Sequence, residues 1–337
     1  MNDIKMNLQL FAVQTTLLNT TGNDLSPEMK TFYDKTLITM AEPYLVHDQF
    51  GQKRPIPKRG GKTIEFRKFS SLGKATTAIT EGVTPAGNKL DVTSKTATVS
   101  QYGDYIVQSD VLELTAIDNT IVEATKLLAS QAGRTMDTIV RNELVGGTNV
   151  LYGGDATSRA TLANTDLMTL DLVFKAATIL KQNNAPTIDG SYVAIIHPHV
   201  AHDLMVASKA DGTWIDVHKY ASPDNIYNGE LGKIGNVRFV ETTEAKIWND
   251  STCPSNGSSG KYSVYATLVL GADAYGVTEI EGGGLQHIVK QLGYGDDPLN
   301  QRSSIGWKAI KTAKRLVEEY MVRIETCSSF SGSSAAN

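Results

Sequence analysis

Between Thr120 and Gly146 the apolar residues Ile121, Ala124, Leu128, Ala132, Met136 and Ile139 recur three or four positions apart. That is the period of one face of an α-helix. Thr120-Ile-Val-Glu123 reads as a capping box at its start, and Gly146-Gly147 as its stop. Some 25 residues at 1.5 Å each span roughly 38 Å, long enough for the backbone of a flat domain. Asp110-Val-Leu-Glu113 reads as a second capping box, opening a shorter helix just before. TLDLVFKAATILKQ, residues 169 to 182, gives another amphipathic helix, ended by Asn183-Asn184-Ala185-Pro186. A small helix from Ser26-Pro27 to about Tyr44 follows from the serine cap and first-turn proline.

Elsewhere the period drops to two. Ile64 and Phe66 alternate with Thr63, Glu65 and Arg67, which predicts a half-exposed strand over Lys62 to Phe69. A second strand fits Lys95 to Val107. From Tyr192 onward strands and helices alternate: a buried strand YVAII, a helix after Pro198, strands at 236–241 and 262–270, and a closing strand through Val317, Tyr320, Val322 and Ile324. Gly229, Gly232 and Gly235 punctuate a hairpin. The fold class is α+β, without internal repeats.

One segment cannot hold itself together. Residues 70 to 98 contain seven threonines and few large aliphatics, among them Ile79, Val83 and Leu90. Such a stretch buries too little apolar surface to offset its own ordering entropy. Either it is disordered, or it is a long hairpin lying on another subunit; the threonine-rich, β-leaning composition favours the hairpin.

Charge points the same way. Residues 53 to 74 carry Lys53, Arg54, Lys58, Arg59, Lys62, Arg67, Lys68 and Lys74 against Glu65 alone, a local +7 in a chain of net −4, which leaves −11 on the rest. One part of the molecule is thus suited to attract another part of a neighbouring copy. The inter-subunit contact candidates are therefore Lys53, Arg54, Lys58, Arg59, Arg67, Lys68 and Lys74, with Ile79, Val83 and Leu90.

The rest of the composition mainly excludes. A length of 337 residues with 41% hydrophobic positions allows one large or two ordinary domains. The acidic balance argues against a general nucleic-acid binder. Cys253 and Cys327 form neither a zinc knuckle nor a disulfide framework. No stretch approaches the ~18 apolar residues of a membrane span, and the start lacks a secretory signal, so synthesis in the cytoplasm is expected.

IIHPHVAHDLM, residues 195 to 205, places His197, His199 and His202 within six positions. His197 sits where a strand ends and a helix begins. His199 and His202 can share a helical face, but two imidazoles without a third ligand make a poor zinc site. The Gly60-Gly-Lys-Thr63 stretch lacks the earlier glycine of a phosphate loop, because position 56 is Ile56. No catalytic residue, cofactor or metal is expected. Serines at 328–334 read as a low-complexity tail.

NGELGKIGNVRFVET (228 to 242), VAIIHPHVAHDL (193 to 204), LGADAYGV (270 to 277) and DPLNQRSSIGWKA (297 to 309) resemble the N4-type major capsid family of tailed bacteriophages, with the Hong Kong 97-type fold. The opening MNLQLFA is similar to the start of coat proteins from phages of low-GC Gram-positive bacteria. The resemblance implies an N-terminal arm (1–50), an extended β-hairpin loop (51–107), a peripheral domain with a long spine helix (108–190), an axial α/β domain (191–285), a return to the peripheral domain (286–327) and a C-terminal tail (328–337). It implies a homo-oligomer of hexamers and pentamers closing into an icosahedral head around double-stranded DNA, contacted non-specifically, with no membrane. The short arm implies a separate scaffolding protein, and the head a portal. Some relatives crosslink a loop lysine; Lys74 lies in the loop, but no partner asparagine matches. An encapsulin-like cellular shell is the same-fold alternative, and a histidine-based metalloenzyme the alternative from another class.

Overall fold

The computed structural model describes residues 45–337, apart from 70–71, 85–86, 116–119, 212–214, 217–226, 228, 258–259 and 296. The helix expected before Tyr44 lies outside the described residues. The chain divides into two compact units. The described part of the first is Leu45 with 101–136 and 283–310; the second is 46–100, 137–282 and 311–337. The long helix Thr120–Val145 and the long strand Arg302–Arg315 each give residues to both.

The second unit is built on a mixed sheet. Strand Val264–Leu270 pairs antiparallel with Met321–Thr326 on one side and Tyr192–Ile196 on the other. Tyr192–Ile196 in turn runs parallel to Val237–Glu241. Glu230–Ile234 continues the sheet as a hairpin partner of Val237–Glu241, with Gly235 at φ 57° in the turn between them. The two central strands are buried at every position, because apolar layers cover both faces. Tyr192, Ala194 and Ile196 face helices Leu170–Gln182 and Pro198–Asp211; Val193 and Ile195 face Val140 and Leu144 from the long helix. Each fully buried aliphatic side chain contributes roughly 1.5–3 kcal/mol, so this two-sided layer dominates the unit's stability.

In the first unit, strand Ser100–Ser109 pairs with the early part of Arg302–Arg315, which also pairs antiparallel with Gln286–Lys290. Ala124, Leu128, Ala132 and Met136 of the long helix are buried as the spacing predicts, whereas Ile121 is only partly covered. Beyond Met136 the buried positions are Val140 and Leu144, and Ile139 is half-buried. Four-residue steps rotate the contact line by about 40° each, which carries it off Ile139.

Three local expectations change. The strand expected over Lys95 to Val107 is two strands, Val92–Thr98 and Ser100–Ser109, with different partners. Helix Asp110–Thr115 is capped by Ser109, whose Oγ accepts from Leu112 N–H at 3.3 Å; Asp110 bonds the next N–H, of Val111, at 2.8 Å. The serine tail is docked: Tyr265 donates its hydroxyl hydrogen bond to Ser331 O at 3.1 Å, Asn249 Nδ2 donates to Ser334 O at 2.9 Å, and Asn337 Oδ1 accepts from Ile247 N–H at 2.9 Å. Low sequence complexity did not prevent it from satisfying buried donors.

Candidate functional site

Thr63–Phe69 and Val92–Thr98 form a two-stranded antiparallel ribbon, in register from Thr63 opposite Thr98 to Phe69 opposite Val92. Its threonines suit a pleated, half-solvated surface. Within the paired strands only Phe66 and Ala97 are buried. Beyond them the described residues from Leu72 to Asp91 form no strand. Near the far end Val83 N–H donates to Thr80 O at 3.1 Å, with Gly82 at φ 78°. That is a type II turn, whose third residue must be left-handed. Ile79 is 75% exposed, Val83 61% and Leu90 59%. These aliphatics stand in solvent on a segment without a core of its own.

The ribbon's root is anchored by buried polar groups. Gln52–Lys53 runs parallel to Tyr275–Glu279, and Ile56 N–H donates to Glu279 O at 2.8 Å. Asp137 accepts from the His47 backbone N–H at 2.7 Å, and its other oxygen lies 2.6 Å from His47 Nδ1. Tyr275, whose hydroxyl burial holds well above its ordinary pKa, donates to His47 O. Lys311 reaches Asp48 at 2.8 Å. Losing one member of such a buried pair costs about 3–5 kcal/mol, so these contacts hold the ribbon's root in place.

All ten predicted contact residues are exposed, and the structure brings three of them together. Arg54, Arg67 and Lys68 line a cleft of about 220 Å³ beside the ribbon's root. Arg67 contacts Glu65 at 3.4 Å, and Lys68 contacts Glu319 at 3.5 Å. Lys53 pairs with Asp48 at 3.7 Å instead. Arg59 occupies a turn at φ 67°. Lys58, Arg59, Lys74, Ile79, Val83 and Leu90 do not line this cleft. Lys95 does, and the basic window ending at Lys74 missed it; the ribbon register places Lys95 opposite Phe66.

The histidines do structural work. His197 accepts a hydrogen bond from His199 N–H at its Nδ1, 3.1 Å away, and so caps helix Pro198–Asp211. Burial, with His199 adding to it, lowers the His197 pKa to about 4. His199 stacks on Phe330, and Asp203 accepts from Ser328 Oγ at 2.8 Å and Ser329 N–H at 2.9 Å. Among the described residues no group of three or more His, Cys, Asp or Glu is arranged to hold a metal ion. Cys253 and Cys327 are buried and free, and burial pushes the Cys327 thiol up to about 12. No helix among the described residues is long and apolar enough to cross a membrane.

The comparisons fit this arrangement. A family model described as "Phage capsid protein" matches residues 131–297, about half of the chain. No curated protein matches the sequence. Among solved structures, the capsid of Ralstonia phage GP4 is similar at TM-score 0.66 and 18% identity, covering 83% of this chain and 87% of that one. The cyanophage Pam1 capsid is similar at TM-score 0.62 and 14% identity, covering 87% and 93%. An encapsulin, SrpI from Synechococcus elongatus, is similar at TM-score 0.55 and 9% identity, covering 89% and 92%. The fold is thus the mixed α/β Hong Kong 97-like capsid fold, which phage capsids share with this encapsulin. The family match separates the two: the chain is a phage major capsid protein, a structural subunit of an icosahedral head in the virion and not an enzyme.

Proposed function

We propose that each subunit is held in the shell by laying its ribbon, together with its N-terminal arm, over neighbouring copies in hexamers and pentamers that enclose double-stranded DNA. The supporting observation is the ribbon's exposure: Ile79, Val83 and Leu90 face solvent, with no cover from the described residues of their own chain. Several modest overlaps per subunit multiply once the lattice closes, while each alone is weak enough to let a misplaced copy leave. A ribbon fixed at its root and unsupported at its tip lets one sequence serve both hexameric and pentameric positions. The net charge of −4 keeps the wall from gripping packaged DNA strongly.

The finer family is the N4-type. The subdivision that goes with it is an arm at 1–50, a loop at 51–107, a peripheral domain at 108–190 completed by 286–327, an axial domain at 191–285 and a tail at 328–337. The partners in assembly are a separate scaffolding protein and a portal. Removing residues 72–90 while keeping both paired strands tests the reading. Circular dichroism should match the parent, and electron microscopy should show no closed shells; normal particles would overturn it.

A further inference from the structure

The tip of the ribbon and the cleft at its root are chemically complementary, and among the described residues the cleft's cations have only exposed, exchangeable partners. The tip turn, Thr80 to Val83, presents Glu81 at its second position, flanked by Ile79 and Val83, which are 75% and 61% exposed. It is therefore an acidic group between two aliphatic ones. The cleft inverts this pattern. Its floor is apolar, formed by Phe66 and Leu316, and its rim carries Arg54, Arg67, Lys68 and Lys95 with the single acid Asp273.

Two further acids stand beside the rim, Glu65 on Arg67 at 3.4 Å and Glu319 on Lys68 at 3.5 Å. Both pairs are long and well exposed, the kind that contributes little and exchanges readily. Four cations over an apolar floor suit a carboxylate carried on an aliphatic turn. The chain supplies one in Glu81, and the exposure of Ile79 and Val83 shows that its own tip does not occupy the cleft.

We propose that the cleft beside the ribbon's root is the receptor for the ribbon tip of a second copy of this chain. Glu81 sits among Arg54, Arg67, Lys68 and Lys95, and Ile79 and Val83 lie on Phe66 and Leu316. This rests on the reading of the ribbon as draped over a neighbour and goes beyond it by naming both contacting surfaces. Tip-to-root seating links each subunit to the next in one direction, so the same contact repeats around a ring.

Cysteines at both surfaces test it in the full-length chain, whose native Cys253 and Cys327 are buried. Thr80→Cys combined with Lys95→Cys should give a ladder of disulfide-linked oligomers from oxidised shells on non-reducing gels, and each single variant should give none. Glu81→Lys should lower shell yield at least about tenfold, with the monomer's circular dichroism unchanged, and adding Lys95→Glu should restore most of it. Shells that assemble from the double-cysteine variant without a ladder would overturn the proposal, as would normal shell yield from Glu81→Lys. Should the cysteine pair itself block assembly, the charge exchange decides. If removing residues 72–90 abolishes shells while the tip and root do not link, the draped ribbon stands and this seating falls. If that removal leaves shells intact, both fall.

Discussion

At His197 the buried imidazole does two jobs, packing against Tyr265 with ring centroids 5.1 Å apart and capping the helix that starts at Pro198. Its pKa falls from 6.5 to about 4, chiefly through burial, with His199 adding to the effect. Between those values the unfolded chain takes up a proton that the folded chain refuses, so stability rises with pH across that interval. The contribution is complete above pH 6.5 and is lost as pH falls towards 4. After allowance for solvent screening it amounts to about 1–2 kcal/mol. His197→Asn keeps a capping acceptor and removes the titration. Urea unfolding should find the variant less stable at pH 7.5, with the gap to the parent narrowing by about 1–2 kcal/mol at pH 4.5. A gap that does not change with pH would show that the imidazole does not titrate in this window.

Among the elements, the pairing of Ser100–Ser109 with Arg302–Arg315 depends on two glycines. A Cβ at Gly103 would sit 2.5 Å from Trp307 O, and one at Gly306 would sit 2.8 Å from Asp104 O. Backbone atoms cannot swing aside as a side-chain tip can, so Gly103→Ala must part the strands. It should cost about 1–3 kcal/mol, as overpacking does. Gly73 has nothing within 4 Å of such an atom, and Gly73→Ala should stay within about 0.5 kcal/mol. Thermal melts of the two variants side by side check the contrast.

The same elements show what the sequence could reveal. Helices with sharp periods and caps, Thr120–Val145 and Leu170–Gln182, are legible because burial and hydrogen bonding both leave local marks. The fourteen-residue strand Arg302–Arg315 is not legible, although Ile305, Trp307, Ala309 and Ala313 do alternate inward. Its inward position 311 is a lysine, paired with Asp48 some 260 positions away. The ribbon's poverty in core residues could be read directly. Its cleft could not, since Lys95 arrives through strand register and Leu316 through the fold.

For the whole molecule the question is whether the basic ribbon acts within one chain or between chains, and magnitudes separate the two. The intrachain partners of Arg67 and Lys68 lie at 3.4 and 3.5 Å, and the two side chains are 66% and 44% exposed. Such exposed pairs contribute about 0–1 kcal/mol each, so reversing both residues to Glu should shift monomer unfolding by no more than about 2 kcal/mol. In a shell the same change recurs at every subunit and lowers the basic stretch from +7 to about +3, which weakens its attraction to the −11 remainder of a neighbouring copy. Arg67→Glu with Lys68→Glu should therefore reduce particle formation far more than it reduces the monomer's urea midpoint. Salt supplies the control. Raising ionic strength from about 0.05 to 0.5 M shortens the screening length from roughly 14 to 4 Å, which should slow assembly of the parent, measured by light scattering. The doubly reversed variant should show a much weaker salt dependence, since less than half of the stretch's positive charge is left for salt to screen. Equal salt dependence in the two proteins would place the ribbon's charge outside the subunit contacts.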